Sequence, residues 1–141
     1  MAITREIEGM MVDRFGRDSI IALATVDQGS PRVRNVDAYY DCGCFYVLTH
    51  AQSSKMRQIA LNPAVAIAGE WFTARGHGVN LGSFCDPANA AIAARMREVF
   101  AAWIDNGHSD LEDAETCILR LELTEGVLFS HGVRYEIDFA V

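Results

Sequence analysis

The chain has 141 residues, half of them hydrophobic, a net charge of −7 and a pI near 4.9. That is length and apolar content for one compact domain over residues 1–141, with a core that needs neither disulfides nor metal. The acidity argues against DNA or RNA as a partner, and no stretch nears the roughly 18 apolar residues that span a bilayer, so no membrane is expected either.

The N-terminus, MAITREIEGMMVDRF, mixes charges into its apolar positions and is expected to form an amphipathic helix, not a signal peptide. With no secretion signal, Cys42, Cys44, Cys85 and Cys117, which lack C-x-x-C spacing, are expected as reduced thiols in a cytoplasmic protein. SIIALATV (19–26) has the length and β-branching of a buried strand. The turn Gln28-Gly29-Ser30-Pro31 reverses the chain into RVRNVDAYY (32–40), and DCG connects it tightly to CFYVLTH (44–50), giving an antiparallel meander.

A helix is expected from about Ser53 to Leu61, stopped by Asn62-Pro63 because proline disfavours helical geometry in the residue before it. AVAIAGEW and TARGHGVNLG supply two more strands. Asp86-Pro87 then opens a long helical segment, with Ile92, Met96, Val99, Phe100 and Trp103 on one apolar face. After the polar loop NGHSDLEDAE, TCILRLELTEGVLFSHGVRYEIDF is expected as two or three strands, broken at Glu125-Gly126 and His131-Gly132. Six to eight strands with short turns and three helices point to an α+β protein built on an antiparallel split barrel.

Lys55 is the only lysine beside eleven arginines, and it stands at a strand-to-helix junction next to Ser53 and Ser54. A helix N-terminus already attracts anions through its free N–H groups. Residues 32–75 carry five basic groups against three acidic ones, a small cationic island on an acidic protein, which suits a small anionic ligand. Strand alternation puts Arg34 on one side of its strand with Val36, Ala38 and Tyr40. A guanidinium in that apolar row needs a partner, either a ligand phosphate or a carboxylate from a neighbouring strand. With the hydroxyls of Thr49, Ser53 and Ser54, Arg34 and Lys55 could cradle a monophosphate; a serine there is otherwise an ordinary N-cap.

Gly76, Gly78 and Gly82 leave one face of their strand nearly bare, either for a flat ring to approach or for barrel closure. His77 lies on the opposite face. No nucleophile elbow, H-E-x-x-H, Walker loop or dinucleotide-binding glycine motif is present, so any redox chemistry must come from a bound cofactor.

From Gly29 to Gly82 the segments GSPRVRNVDAYY, FYVLTHAQSSKMRQIALNPAVAIAGEW and GHGVNLG follow in unbroken order. In this run the chain resembles the flavin-binding split-barrel family named for pyridoxamine 5′-phosphate oxidase. Its C-terminal strands look like the small stress-protein or nitroimidazole-resistance-like branch. The resemblance implies FMN at a homodimer interface, with its phosphate held by Arg34, Ser53, Ser54 and Lys55. Asn35, Val36 and Asp37, with Leu48 and Thr49, would lie along the flavin ring, and His77 matches a position where the family often has a ring-reaching glutamine. Relatives with heme or a deazaflavin in the same barrel keep those cofactors as alternatives.

Val141 ends the chain without the tryptophan and arginine motif of the true oxidase, so pyridoxamine phosphate oxidation is not expected. The expectation is an FMN-dependent oxidoreductase acting on a small organic substrate, with NAD(P)H as a possible donor and His50 as a candidate polar group near the pocket; no catalytic residue is assigned. The alternatives are a flavin- or heme-binding protein for storage, sensing or stress, and a cofactor-free dimer in which Arg34 and Lys55 pair with carboxylates.

Overall fold

Helix α1 (Arg5–Phe15) starts at Thr4, whose hydroxyl accepts the Ile7 N–H, and buries Ile7, Met11 and Phe15 at four-residue spacing. A computed structural model describes residues 1–140, in which α1 is followed by β1 (Ser19–Asp27), β2 (Ser30–Asp41), β3 (Cys44–His50), α2 (Ser54–Leu61), β4 (Ala64–Gly69) and β5 (Phe72–Ser83). A 3₁₀ turn at Pro87–Asn89 leads into α3 (Ala90–Val99), and β6 (Thr116–Ser130) and β7 (Val133–Asp138) complete the order.

All strand pairings are antiparallel, in the order β3-β2-β1-β4-β5-β6-β7, and β3 also pairs with β6 over Cys44–His50 and Thr116–Glu122. Six strands therefore close on one another, and β7 is added outside the ring along β6. The closure is incomplete at one seam. β2 pairs with β1 from Ser30 to Ala38 but meets β3 only at Tyr39, Tyr40 and Asp41. Beyond that contact the two strands diverge, and each has one edge without a strand partner, so the barrel is split.

Period-2 alternation fills the interior with Ile21, Leu23, Val36, Ala38, Tyr40, Phe45, Val47, Leu119, Leu121 and Leu123. Met56 and Ile59 of α2 join that cluster, so α2 plugs one end of the barrel. A second cluster lies outside the wall, where Met96, Phe100 and Ile104 cover Tyr39, Phe84 and Ile118. The apolar face expected for the third helix is this contact, although α3 ends at Val99, with Phe100 as its cap residue.

One sequence expectation is corrected, and one left open is decided. β6 runs unbroken through Glu125-Gly126: Arg75 faces Glu125 and Gly76 faces Leu123, so the irregularity is a bulge within a continuous pair. At Gly76 and Gly78 the glycine face of β5 is not open to a ligand ring. Gly76 and Gly78 point into the barrel, where a side chain on Gly76 would collide with the Glu122 carbonyl. A Cβ on Gly78 would lie 2.9 Å from Ile59 Cγ2. Of the two meanings weighed for these glycines, barrel closure is the one realised at Gly76, which stands at the bulge against β6, while Gly78 leaves room for Ile59 of α2.

Candidate functional site: a cationic cluster at the open seam

The inward row of β1 ends in a polar residue, Thr25, which is buried, and the inward row of β2 ends beside it in Arg34. α2 lies across both. Arg34 Nη1 donates to the Leu23 carbonyl at 3.2 Å and to Thr25 Oγ1 at 2.7 Å, while Nη2 donates to Gln58 Oε1 at 2.9 Å. The Thr25 hydroxyl in turn donates to Gln58 Oε1 at 2.6 Å. These contacts use three of the five guanidinium N–H donors and leave two with no protein acceptor among the described residues.

Every one of these acceptors is neutral. Arg34 was expected to find either a ligand anion or a carboxylate, and among the described residues no carboxylate pairs with it or with Lys55. Lys55 is half-buried one helical step from Gln58. Burial lowers its pKa, the neighbouring Arg34 charge lowers it further, and the Cys117 thiol opposes them weakly. Burial likewise lowers the pKa of Arg34, followed by repulsion from Arg32. Two like charges gathered in a partly dehydrated place are unfavourable without an anion, and the fold holds them there by the packing of α2.

Ser53 occupies the N-cap position of α2, yet its side chain makes no capping bond; its hydroxyl lies 3.4 Å from Thr49 Oγ1. The hydroxyls of Thr49, Ser53 and Ser54 and the first-turn amides of α2 therefore stand at the same barrel end as the two cations. This donor set suits a tetrahedral anion such as a phosphate ester: two positive charges, hydroxyls and backbone N–H groups without competing carboxylates.

Asn35, Val36 and Asp37 follow Arg34 along the seam edge of β2, where alternate backbone N–H and C=O groups turn away from β1. Val36 is buried, and Asn35 and Asp37 are exposed on the outer side, Asp37 beside Asp18. Burial pushes the Asp18 carboxyl up, and the Trp103 indole N–H bonded to it at 3.0 Å counters this. Leu48 and Thr49 occupy the facing edge of β3 beyond its last contact with β2. The structure thus brings nine of the ten expected residues, Arg34 through Asp37, Leu48, Thr49 and Ser53 through Lys55, to the seam and its α2 end. Ser54 starts the helix there, exposed.

His77 stands apart. It projects from the outer wall of β5, with Nε2 2.7 Å from Glu122 Oε1, while Arg120 Nη2 is 2.7 Å from the other carboxylate oxygen. No contact links it to Arg34 or Lys55. His50 is exposed, with Nδ1 accepting the Gln52 N–H at 3.1 Å. Sequence reasoning missed Thr25 and Gln58. A threonine ending an otherwise apolar inward row, and a glutamine four residues after Ser54 on the same helix face, were the available signals.

Two grooves adjoin this architecture. One of about 450 Å³ lies between the β1–β2 turn and α2, lined by Ser54, Arg57, Gln58 and Leu61. A larger one, about 940 Å³, runs over the outer wall past Ala22, Ala24, Val33, Ala66 and Ala68 and offers mostly apolar surface. The smaller groove reaches Gln58 and Ser54, with Asp27 on its other side, but neither Arg34 nor Lys55 lines either groove.

No family model matches the chain. In an alignment of 126 residues that covers 84% of this chain, it is 32% identical to a pyridoxine/pyridoxamine 5′-phosphate oxidase of Anaplasma phagocytophilum (strain HZ), and it spans 61% of that protein. A heme binding protein from Mycobacterium smegmatis superimposes with a TM-score of 0.72 at 14% identity, over 98% of this chain and 60% of that one. An FAD-binding protein from Mesorhizobium loti does so with a TM-score of 0.66 at 14% identity, over 88% and 92%. These structural likenesses establish the fold.

Proposed function

Because the chain belongs to the pyridoxamine 5′-phosphate oxidase-like split-barrel family, we propose that it binds FMN at the seam and works as an oxidoreductase on a small organic substrate. The observation that carries this reading is the pairing of Arg34 with neutral acceptors only, next to a half-buried Lys55 that has no counterion among the described residues. A phosphate ester would complete both.

In this proposal Arg34, Lys55, Ser53, Ser54 and Thr49 hold the phosphate, and the α2 amides add their partial positive charge. The unpaired edge groups of Asn35, Val36 and Asp37, facing Leu48 and Thr49, would take the polar edge of the ring. When bound, the flavin supplies the hydride or electron exchange, which no side chain of this site provides. The protein's own part is to bind, orient and exclude water. Heme and a deazaflavin are the alternatives in the same fold; the donor set favours a ligand with a compact, doubly charged phosphate.

The proposal includes a homodimer in a cytoplasmic setting. Ile20 and Val33 are 68% and 70% exposed, and they continue the small apolar outer face of Ala22, Ala24, Ala66 and Ala68 next to the seam edge of β2. A second copy covering that face would shield the flavin ring. Among the described residues no helix is long and apolar enough to cross a membrane.

The test is an absorption spectrum of the purified protein before and after addition of FMN, followed through a desalting column. Retained flavin at one per chain that NADH or NADPH then reduces is the expected result. Retained flavin that neither reduces would favour a binding protein without turnover, a Soret band would move the reading to heme, and no retained chromophore would overturn it.

A further inference from the structure

Gln58 is the residue on which the two elements of the cationic cluster meet. Its Oε1 accepts from Arg34 Nη2 at 2.9 Å and from Thr25 Oγ1 at 2.6 Å, joining α2 to β2 and β1 through a single oxygen. The orientation of the amide follows from these partners, since both are donors and only the carbonyl oxygen can receive them. Thr25 is buried, so its hydroxyl has no alternative acceptor in solvent.

An arginine in such a position is more commonly fixed by a carboxylate, because a charge-assisted pair is stronger than a bond to an amide. A carboxylate at position 58 would fit the same two donors. It would also neutralise Arg34 within the protein and relieve the repulsion between Arg34 and Lys55. A neutral acceptor does the opposite: it fixes the guanidinium while leaving its full charge to act outward.

From this we propose that Gln58 is a positioning and specificity-determining residue. It holds Arg34 toward the α2 N-terminus with its charge uncompensated, and so makes the seam selective for a ligand with a doubly charged phosphate over the same ligand without one. The proposal rests on the phosphate assignment given above. It adds that the selectivity is set by a residue that donates nothing to the anion.

The substitution Gln58→Glu separates charge from shape, since the two side chains are nearly isosteric. FMN and riboflavin are titrated calorimetrically into the wild-type protein and the variant, and the thermal midpoint of each is measured with and without inorganic phosphate. The wild-type protein is expected to prefer FMN over riboflavin and to be stabilised by phosphate. Gln58→Glu is expected to keep or raise its thermal midpoint, to bind FMN at least 30-fold more weakly, to leave riboflavin within about threefold, and to lose the stabilisation by phosphate. Gln58→Leu, which removes the acceptor and adds no charge, is expected to fall between the two.

A folded Gln58→Glu protein that keeps the wild-type preference for FMN overturns the role of Gln58 and leaves the phosphate site standing. A wild-type protein that shows neither a preference for FMN nor any response to phosphate overturns the phosphate site, and this inference with it.

Discussion

Basic side chains gather in two places on this barrel, and the two are built in opposite ways. On the outer wall, Arg120 and His77 share the two oxygens of Glu122, so each of these side chains has a carboxylate oxygen at 2.7 Å. At the seam, Arg34 is fixed by a carbonyl, a hydroxyl and an amide, and Lys55 stands beside it without a counterion among the described residues. The wall arrangement has its carboxylate built in and ties β5 to β6, although the buried Arg120 Nε keeps no partner among the described residues. The seam arrangement is electrostatically incomplete, and the cost of leaving it so is met by the packing of Met56 and Ile59, which keeps α2 in place. Charge balance, more than residue type, separates a structural cluster from a binding one.

The largest expected contrast comes from removing the seam cations together. Each hydrogen-bonded charge is worth about 1.5–3 kcal/mol to a partner anion, and about 1.4 kcal/mol is tenfold in affinity. Arg34→Ala with Lys55→Ala is therefore expected to weaken FMN binding by roughly 10²- to 10⁴-fold in calorimetry. Stoichiometric FMN retained by that double variant would erase the distinction between the two clusters.

A smaller effect is expected from pH. In the free protein Lys55 has a pKa below its ordinary value of 10.5, held down chiefly by burial and then by Arg34. A bound phosphate would favour the ammonium and raise that pKa, so binding takes up a proton in the interval between the two. FMN affinity should accordingly fall as pH rises through the free-protein pKa, beginning below 10.5. Lys55→Arg should flatten that decline, and an affinity independent of pH from 8 to 10.5 in the wild-type protein would count against Lys55 as a ligand.

The smallest expected effect sharpens the comparison from the other side. Glu122→Gln leaves Arg120, about one-third exposed, without its counterion. A loss of about 1 kcal/mol in urea-induced unfolding is expected, with FMN affinity unchanged within about twofold. A drop in flavin affinity matching that of the seam variants would show that the wall cluster belongs to the site.

Much of this was readable along the chain. The strands near 19–26, 32–40 and 44–50 stand where β-branched alternation and glycine turns put them, because burial of one face enforces a period of two. The same alternation set Arg34 in the row of Val36, Ala38 and Tyr40, and Ser53, Ser54 and Lys55 announced a helix start. Gly126 was harder: a Glu-Gly pair signals a turn or a bulge equally well, and only the register against Arg75 and Gly76 decides. The glycines of β5 were ambiguous for a similar reason, since a missing Cβ says that something approaches, and here it is Ile59 and the β6 backbone.

By itself the sequence determined where most strands and helices lie, which face of each is apolar, and which residues could bind an anion, because these depend on neighbours a few positions apart. Only the tertiary structure decided what Arg34 touches. Thr25 and Gln58 come from elements 9 and 24 residues away, and their meeting follows from how β2 parts from β3 and how α2 fills the barrel end. Whether a buried charge is compensated is a property of such long-range contacts, and local pattern carries no record of them.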